Sequence, residues 1–360
     1  MEKKERLSNF ELLRIISIVI IIFSHFNMHM DYSGVETNIK INKLFSNCFV
    51  FGGIANHIFI IITGYFMINS KIKYSKIISL ILQMMFYSFC IPIVLNIFGL
   101  INLGSWDIIK MSFPMLFGNW FCIYYVILYF LIPFINKLLN EMNKKEMKNM
   151  LIILAIFISI IPMLTVNKWG LSSLAIFILD YIIGAYIKLY KKENNTKKFF
   201  VIIVIDMIIM IGSVLILQLI GLKLGNNTIR DNSRYFVVSN NSIFVIIMAI
   251  SIFMVFKNLN IKNCKVINYI SSSTLGVYLI HENSYLRNFL WNIFIPNKCY
   301  YNSYVYILFA ISKVFIIYFL CIIIDKIRNK LFKNIEKKII LKVSNFKNVK
   351  FFNKYNNTNF

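Results

Sequence analysis

The residues most able to do chemistry here are ionisable groups set inside apolar runs. The first run begins Phe10-Glu11-Leu-Leu-Arg14 and continues through isoleucine and serine to His25 and Phe26. On a helix, Glu11 and Arg14 lie three apart and can pair on one face. Eleven steps of about 100° return His25 to within about 20° of Arg14, about 16 Å further along the axis. A guanidinium binds anionic oxygens through a planar fork. An imidazole works near neutral pH as a general base or a nucleophile. One stripe carrying both suits a long substrate held at one end and reacted at the other. The plainer alternative is an Arg14 that snorkels and a His25 that sits at an interface.

A second set lies in Ser271-Ser-Ser-Thr-Leu-Gly276-Val-Tyr278-Leu-Ile-His281-Glu282. Running outward, it brings His281 level with His25. His281 and Glu282 are thus either a second site or an interfacial anchor, and the small residues from Ser271 to Gly276 favour close helix packing. Asp180 and Asp206 also fall in apolar runs, as packing hydrogen-bond groups or functional ones. The outer stretch 221–240 carries Arg230, Arg234 and Tyr235, a mixture suited to a sugar or anionic glycan, or to a solvated loop. His29 and His57 lack regular spacing to a third ligand, and no Cys-x-x-Cys pair occurs, so no metal site is expected. Cys48 and Cys299 lie in or near outer loops and could bridge. Neither a glycine-rich phosphate loop nor a Gly-x-Ser-x-Gly elbow is present.

These groups must be positioned by helices. Among 360 residues, 58% are hydrophobic, yet the net charge is +24. Soluble domains hold about 45–50% apolar residues, so a basic nucleic-acid-binding protein is excluded and an all-α polytopic integral membrane protein remains. A spanning helix needs about 20 apolar residues. Ten runs qualify, at 10–28, 49–69, 76–98, 119–139, 150–166, 171–190, 199–221, 241–256, 266–290 and 303–325. They are continuous, whereas barrel strands alternate. The first run lacks a small-residue cleavage site and contains Arg14 and His25, so it reads as a retained helix rather than a signal peptide. Sorted by segment, most of the 39 Lys and Arg fall on alternate loops. By the positive-inside rule, about ten transmembrane helices with both termini cytoplasmic is the consistent solution. The charge is therefore mainly an orientation signal. The expected organisation is a transmembrane domain at 1–325 and a basic cytoplasmic tail at 326–360, either solvated or touching anionic membrane lipid.

Glu11-Leu-Leu-Arg14 with His25 eleven positions on resembles the signature of the membrane acyltransferase-3 family. Four further segments are similar to it: Ile58-Phe-Ile-Ile-Ile-Thr-Gly64-Tyr-Phe, Asn119-Trp120-Phe-Cys-Ile-Tyr124-Tyr, Leu131-Ile-Pro133-Phe-Ile-Asn136 and Thr274-Leu-Gly-Val-Tyr278-Leu-Ile-His281-Glu282. The resemblance implies an O-acyltransferase of the bacterial cytoplasmic membrane. It would move an acyl group, commonly acetyl, from acetyl-CoA or another acyl-CoA to a hydroxyl of a surface glycan or lipid-linked oligosaccharide. It implies Arg14 and His25 as active residues with Glu11 as partner, no bound cofactor, and no nucleic-acid partner. A separate extracytoplasmic partner could receive the group. The competing expectation is a flippase or polymerase of lipid-linked oligosaccharide that binds pyrophosphate through Arg230 and Arg234.

Overall fold

The computed structural model describes residues 6–32, 38–165, 173–191, 194–296 and 298–344. Lys3, Lys4, Lys192 and the tail from 345 lie outside them. Within the described residues every regular element is helical. Helix α1 spans Ser8–His29, α2 Gly52–Met67, α3 Tyr74–Ile97 and α4 Trp120–Glu141. Helix α5 begins at Lys144–Ala155 and continues through a π turn, Ile156–Ile160, into Ile161–Thr165. Then follow α6 Ser173–Tyr190, α7 Thr196–Lys223, α8 Ile243–Asn258, α9 Lys265–Ser271, α10 Thr274–His281 and α11 Tyr306–Ser344.

Nine spans in the described residues are long and apolar enough to cross a membrane. The difference from the expected ten is the ninth run, which is broken into α9 and α10. The cause is local. Ser271, Ser272 and Thr274 turn their hydroxyls onto the carbonyls of Asn268, Tyr269 and Ser271. Such bonds compete with the helical ladder. The broken pair, taken together, is the tenth run of the described residues, in two helices each too short to span alone. The start of α1 and the middle of α11 both reach α9: Ser8 Oγ accepts the Cys264 amide, and Lys326 Nζ donates to the Tyr269 carbonyl.

Helices α2 and α6 pack with their backbones in close approach, and glycine permits it. A Cβ on Gly64 would sit 2.1 Å from the Tyr181 carbonyl oxygen, and one on Gly184 would sit 2.2 Å from that of Ile61. Small residues let membrane helices approach this closely. Beside this contact the fully buried His57 and Asp180 pair at 2.7 Å between the same two helices. Helix α10 packs on α11 in a related way, with Gly276 against the carboxylate of Asp325. That carboxylate is fully buried and accepts from Gln83, Tyr87 and Asn329. Arg328 of the same helix pairs with Glu336. Cys48 and Cys299 are both free thiols.

Candidate active site

The site is built along α1 between the two ends of the bundle. At the end where α9 and α11 meet Ser8, Arg14 donates to Glu11 at 2.6 Å, the pairing expected from their spacing. Ser271, at the end of α9, donates to the other oxygen of Glu11. Glu11 is thus buried with both oxygens engaged, and it holds the Arg14 guanidinium at the edge of an opening. Arg14 keeps a third of its side chain exposed.

That opening is a cavity of about 470 Å³ enclosed by α1, α2, α3, α4, α9 and α10. Arg6, Arg14 and Lys76 line its polar part, and Thr63, Tyr125 and Tyr278 line the deeper part. A branch of about 280 Å³ shares Arg14, Thr63, Lys76 and Tyr125. Three cations on one opening, offset by the single carboxylate Glu11, make a receptor for an anion. Apolar walls from Ile18, Ile21, Phe59 and Phe121 make room behind it for a less polar arm.

At the far end of α1 the structure joins the two sets of residues read from the sequence. His25 Nδ1 lies 3.0 Å from His281 Nε2 and 3.0 Å from Glu282 Oε2. His29 Nε2 contacts the same Glu282 oxygen at 3.1 Å, and Arg287 donates to Oε1 at 2.7 Å. Helix α10 ends here because Asn283 accepts the Tyr285 amide, a turn that competes with further helix and leaves Glu282 at the cap. The proton positions follow from the partners. The Val277 carbonyl can only accept, so His281 Nδ1, 2.6 Å away, carries a hydrogen. With one proton on each imidazole, His281 Nε2 is then an acceptor and His25 Nδ1 donates to it and to Glu282. The lone pair of His25 is left on Nε2. An imidazole whose Nδ1–H is held by a carboxylate is the arrangement in which Nε2 serves as a base.

Tyr278 connects the two ends. It lines the large cavity, and its ring meets that of His281 edge-on at a centroid distance of 6.0 Å. On the other side of the cluster, Glu282 and Arg287 border a cavity of about 270 Å³ with Lys110, Asn119, Trp120 and Tyr285. Its rim is pinned by Asp107, which accepts from Tyr285 and Lys110. The Gly104 amide, and after it the Tyr285 hydroxyl, hold the Asp107 carboxyl below the usual carboxylate range. Burial, followed by the bond to Asp107, pushes the Tyr285 phenol up to about 12.

The other sequence candidates stand apart. Arg234 and Tyr235 line a separate cavity of about 770 Å³ against Asn27 and Tyr32. Arg230 faces Lys43 and Gln218. None of the three reaches the His25 cluster. Asp180 is the partner of His57, and Asp206 is buried on α7 away from both cavities. Residues that spacing alone did not single out include His29, Thr63, Lys76 and Tyr125. Lys76 carries a signal, as a cation at the start of an apolar run, but that signal is shared with every loop charge that orients the helices.

A profile of the acyltransferase domain family matches residues 7–326, which covers α1 to the first half of α11. No curated protein and no solved structure shows significant similarity to the chain. The match spans both ends of the site and every helix that lines the cavity between them, and on that basis the chain belongs to the membrane acyltransferase-3 family, as an all-α, multi-pass acyltransferase.

Proposed function

We propose that the protein transfers an acyl group, acetyl in the first instance, from cytoplasmic acyl-CoA to a hydroxyl of an extracytoplasmic or lipid-linked glycan. The observation that carries this reading is the cavity with cations at one end and Tyr278 beneath the His25–His281–Glu282 cluster at the other. Arg14, Arg6 and Lys76 bind the donor's phosphates, with Arg14 aimed by Glu11. The acyl-bearing arm runs past Thr63 and Tyr125 toward Tyr278. The acceptor sugar enters from the cavity of Trp120, Asn119 and Tyr285, where an aromatic face and amide groups suit a pyranose ring.

The chemistry follows from the tautomer. His25 Nε2 takes the proton of the acceptor hydroxyl as its oxygen attacks the thioester carbonyl. The carbon–sulfur bond breaks, and the thiolate leaves with the proton that His25 then returns. Glu282 and His281 keep Nδ1–H in place and stabilise the imidazolium that forms. A positioned base of this kind contributes about 10²–10⁴-fold. The test is label transfer from radioactive acetyl-CoA to glycan in membranes. Labelling that depends on this protein and falls to background in His25→Ala supports the reading. Full labelling by His25→Ala removes it. Intact labelling with short or missing glycan chains in a deletion strain favours the flippase or polymerase instead.

A further inference from the structure

Metal-ligand spacing is absent from the sequence, yet the fold assembles three ligand atoms from helices about 256 residues apart. His25 Nδ1, His281 Nε2 and Glu282 Oε2 all lie within 4.8 Å of one another. Two of the separations are 3.0 Å. A tetrahedral zinc with ligands at about 2.0–2.2 Å needs them about 3.3–3.6 Å apart. Two separations lie a few tenths of an ångström below that spacing, and closing the third, which is within 4.8 Å, completes a His₂Glu site. The outer partners of such a site are already in place. His281 gives its other nitrogen to the Val277 carbonyl at 2.6 Å, and Arg287 holds the second oxygen of Glu282 at 2.7 Å. Bonds like these fix the tautomer and direction of ligating side chains. His25 and His29 remain partly exposed, 17% and 19%, which gives an ion a way in and leaves a fourth position for His29 or water.

We propose that this cluster is a divalent transition-metal site, of zinc class, and that metal binding and acyl transfer exclude each other. The exclusion rests on the general-base role assigned above to His25. A metal on Nδ1 needs the lone pair there, so the imidazole proton moves to Nε2. No proton is lost, but Nε2 becomes a donor and can no longer accept the hydroxyl proton. External zinc then acts as a reversible off-switch.

The probe is Co²⁺ added alone to the purified full-length protein in nanodiscs after treatment with a chelator. The expected result is saturable binding of one ion per chain, with the visible absorption of a four-coordinate imidazole site, displaced by Zn²⁺. His281→Gln and Glu282→Gln each weaken binding by more than the 10–100-fold that loss of an outer partner costs. Because His281 is buried, thermal melting of both variants is measured alongside. In the transfer assay the chelated protein is active, Zn²⁺ abolishes labelling, and chelator restores it. Absence of saturable Co²⁺ binding, or binding unchanged in a folded Glu282→Gln protein, overturns the site. Bound metal without inhibition, or chelated protein that needs Zn²⁺ to work, overturns the exclusion. Metal binding by a protein that transfers no acyl group in any state leaves the site standing and refutes the functional reading instead.

Discussion

Replacing Glu282 by Gln isolates the carboxylate's contribution with little change of shape. In the structure, three donors converge on two oxygens: His25 and His29 on Oε2 at 3.0 and 3.1 Å, Arg287 on Oε1 at 2.7 Å. An amide supplies one accepting oxygen. Either it faces Arg287 and turns its NH₂ toward His25, or it faces the imidazoles and turns NH₂ toward the guanidinium. The first orientation repels His25 Nδ1–H and favours the tautomer with hydrogen on Nε2, which cannot act as a base. The second strands a charged donor whose bond is worth about 1.5–3 kcal/mol. Loss of an orienting carboxylate in a carboxylate–histidine pair costs on the order of 10⁴ in turnover in serine proteases. His281 still accepts from His25 here, so a smaller loss, about 10²–10³-fold in kcat, is expected, which corresponds to about 2.7–4 kcal/mol of barrier. The assay is initial-rate acetyl transfer in nanodiscs with donor and acceptor varied separately. KM for the donor should stay near its wild-type value, since Glu282 borders the acceptor side. Combined with His25→Ala, the second change should cost almost nothing more, as groups acting as one unit are not additive. A kcat within about threefold of wild type, or full additivity in the double variant, refutes the tautomer argument.

Gly276→Ala places a Cβ about 2.2 Å from a buried Asp325 oxygen, and overpacking of this kind costs about 1–3 kcal/mol, so the melting temperature should fall by several degrees. Arg14→Lys keeps charge but loses the fork; the donor KM should rise about tenfold with kcat little changed, and an unaltered KM would show that charge alone suffices. Lys76→Gln should also raise the donor KM, by several-fold, and this weakening should shrink at high salt as screening removes the cation's long-range attraction. For Asp107, a carboxyl held below its usual range strengthens the rim at pH above that range, and the effect fades as pH falls through the depressed value. Asp107→Asn should therefore raise the acceptor KM several-fold near neutral pH, and the difference from wild type should vanish in strong acid.

Nearly all of the architecture was legible because spanning helices are specified by composition alone. The stripe of Glu11, Arg14 and His25 was legible too, since it depends only on the helical period within one run. What escaped was contact between runs. His281 could be placed at the depth of His25, but nothing in linear order says that α10 lies against α1. The break at Ser272 was hidden for another reason: a run of serines reads as small-residue packing, and only the hydrogen bonds to Asn268 and Tyr269 reveal the interruption. His57 has no spacing to a partner in its own run and Asp180 reads as a packing group, and their fully buried pairing follows from the close approach of α2 and α6.

That close approach also decides what can move. With the backbones of α2 and α6 in mutual contact through Gly64 and Gly184, the two helices pack as one unit, of which α2 lines the cavity. Neither can slide or rotate without driving a carbonyl into its neighbour. A change in the cavity's width then falls to its other walls. Among them the interrupted pair α9 and α10 sets Ser271 on Glu11 to one side of the break at Ser272 and Ser273, and His281 on His25 to the other. The two ends of the site are thus tied together through a single break in the helix.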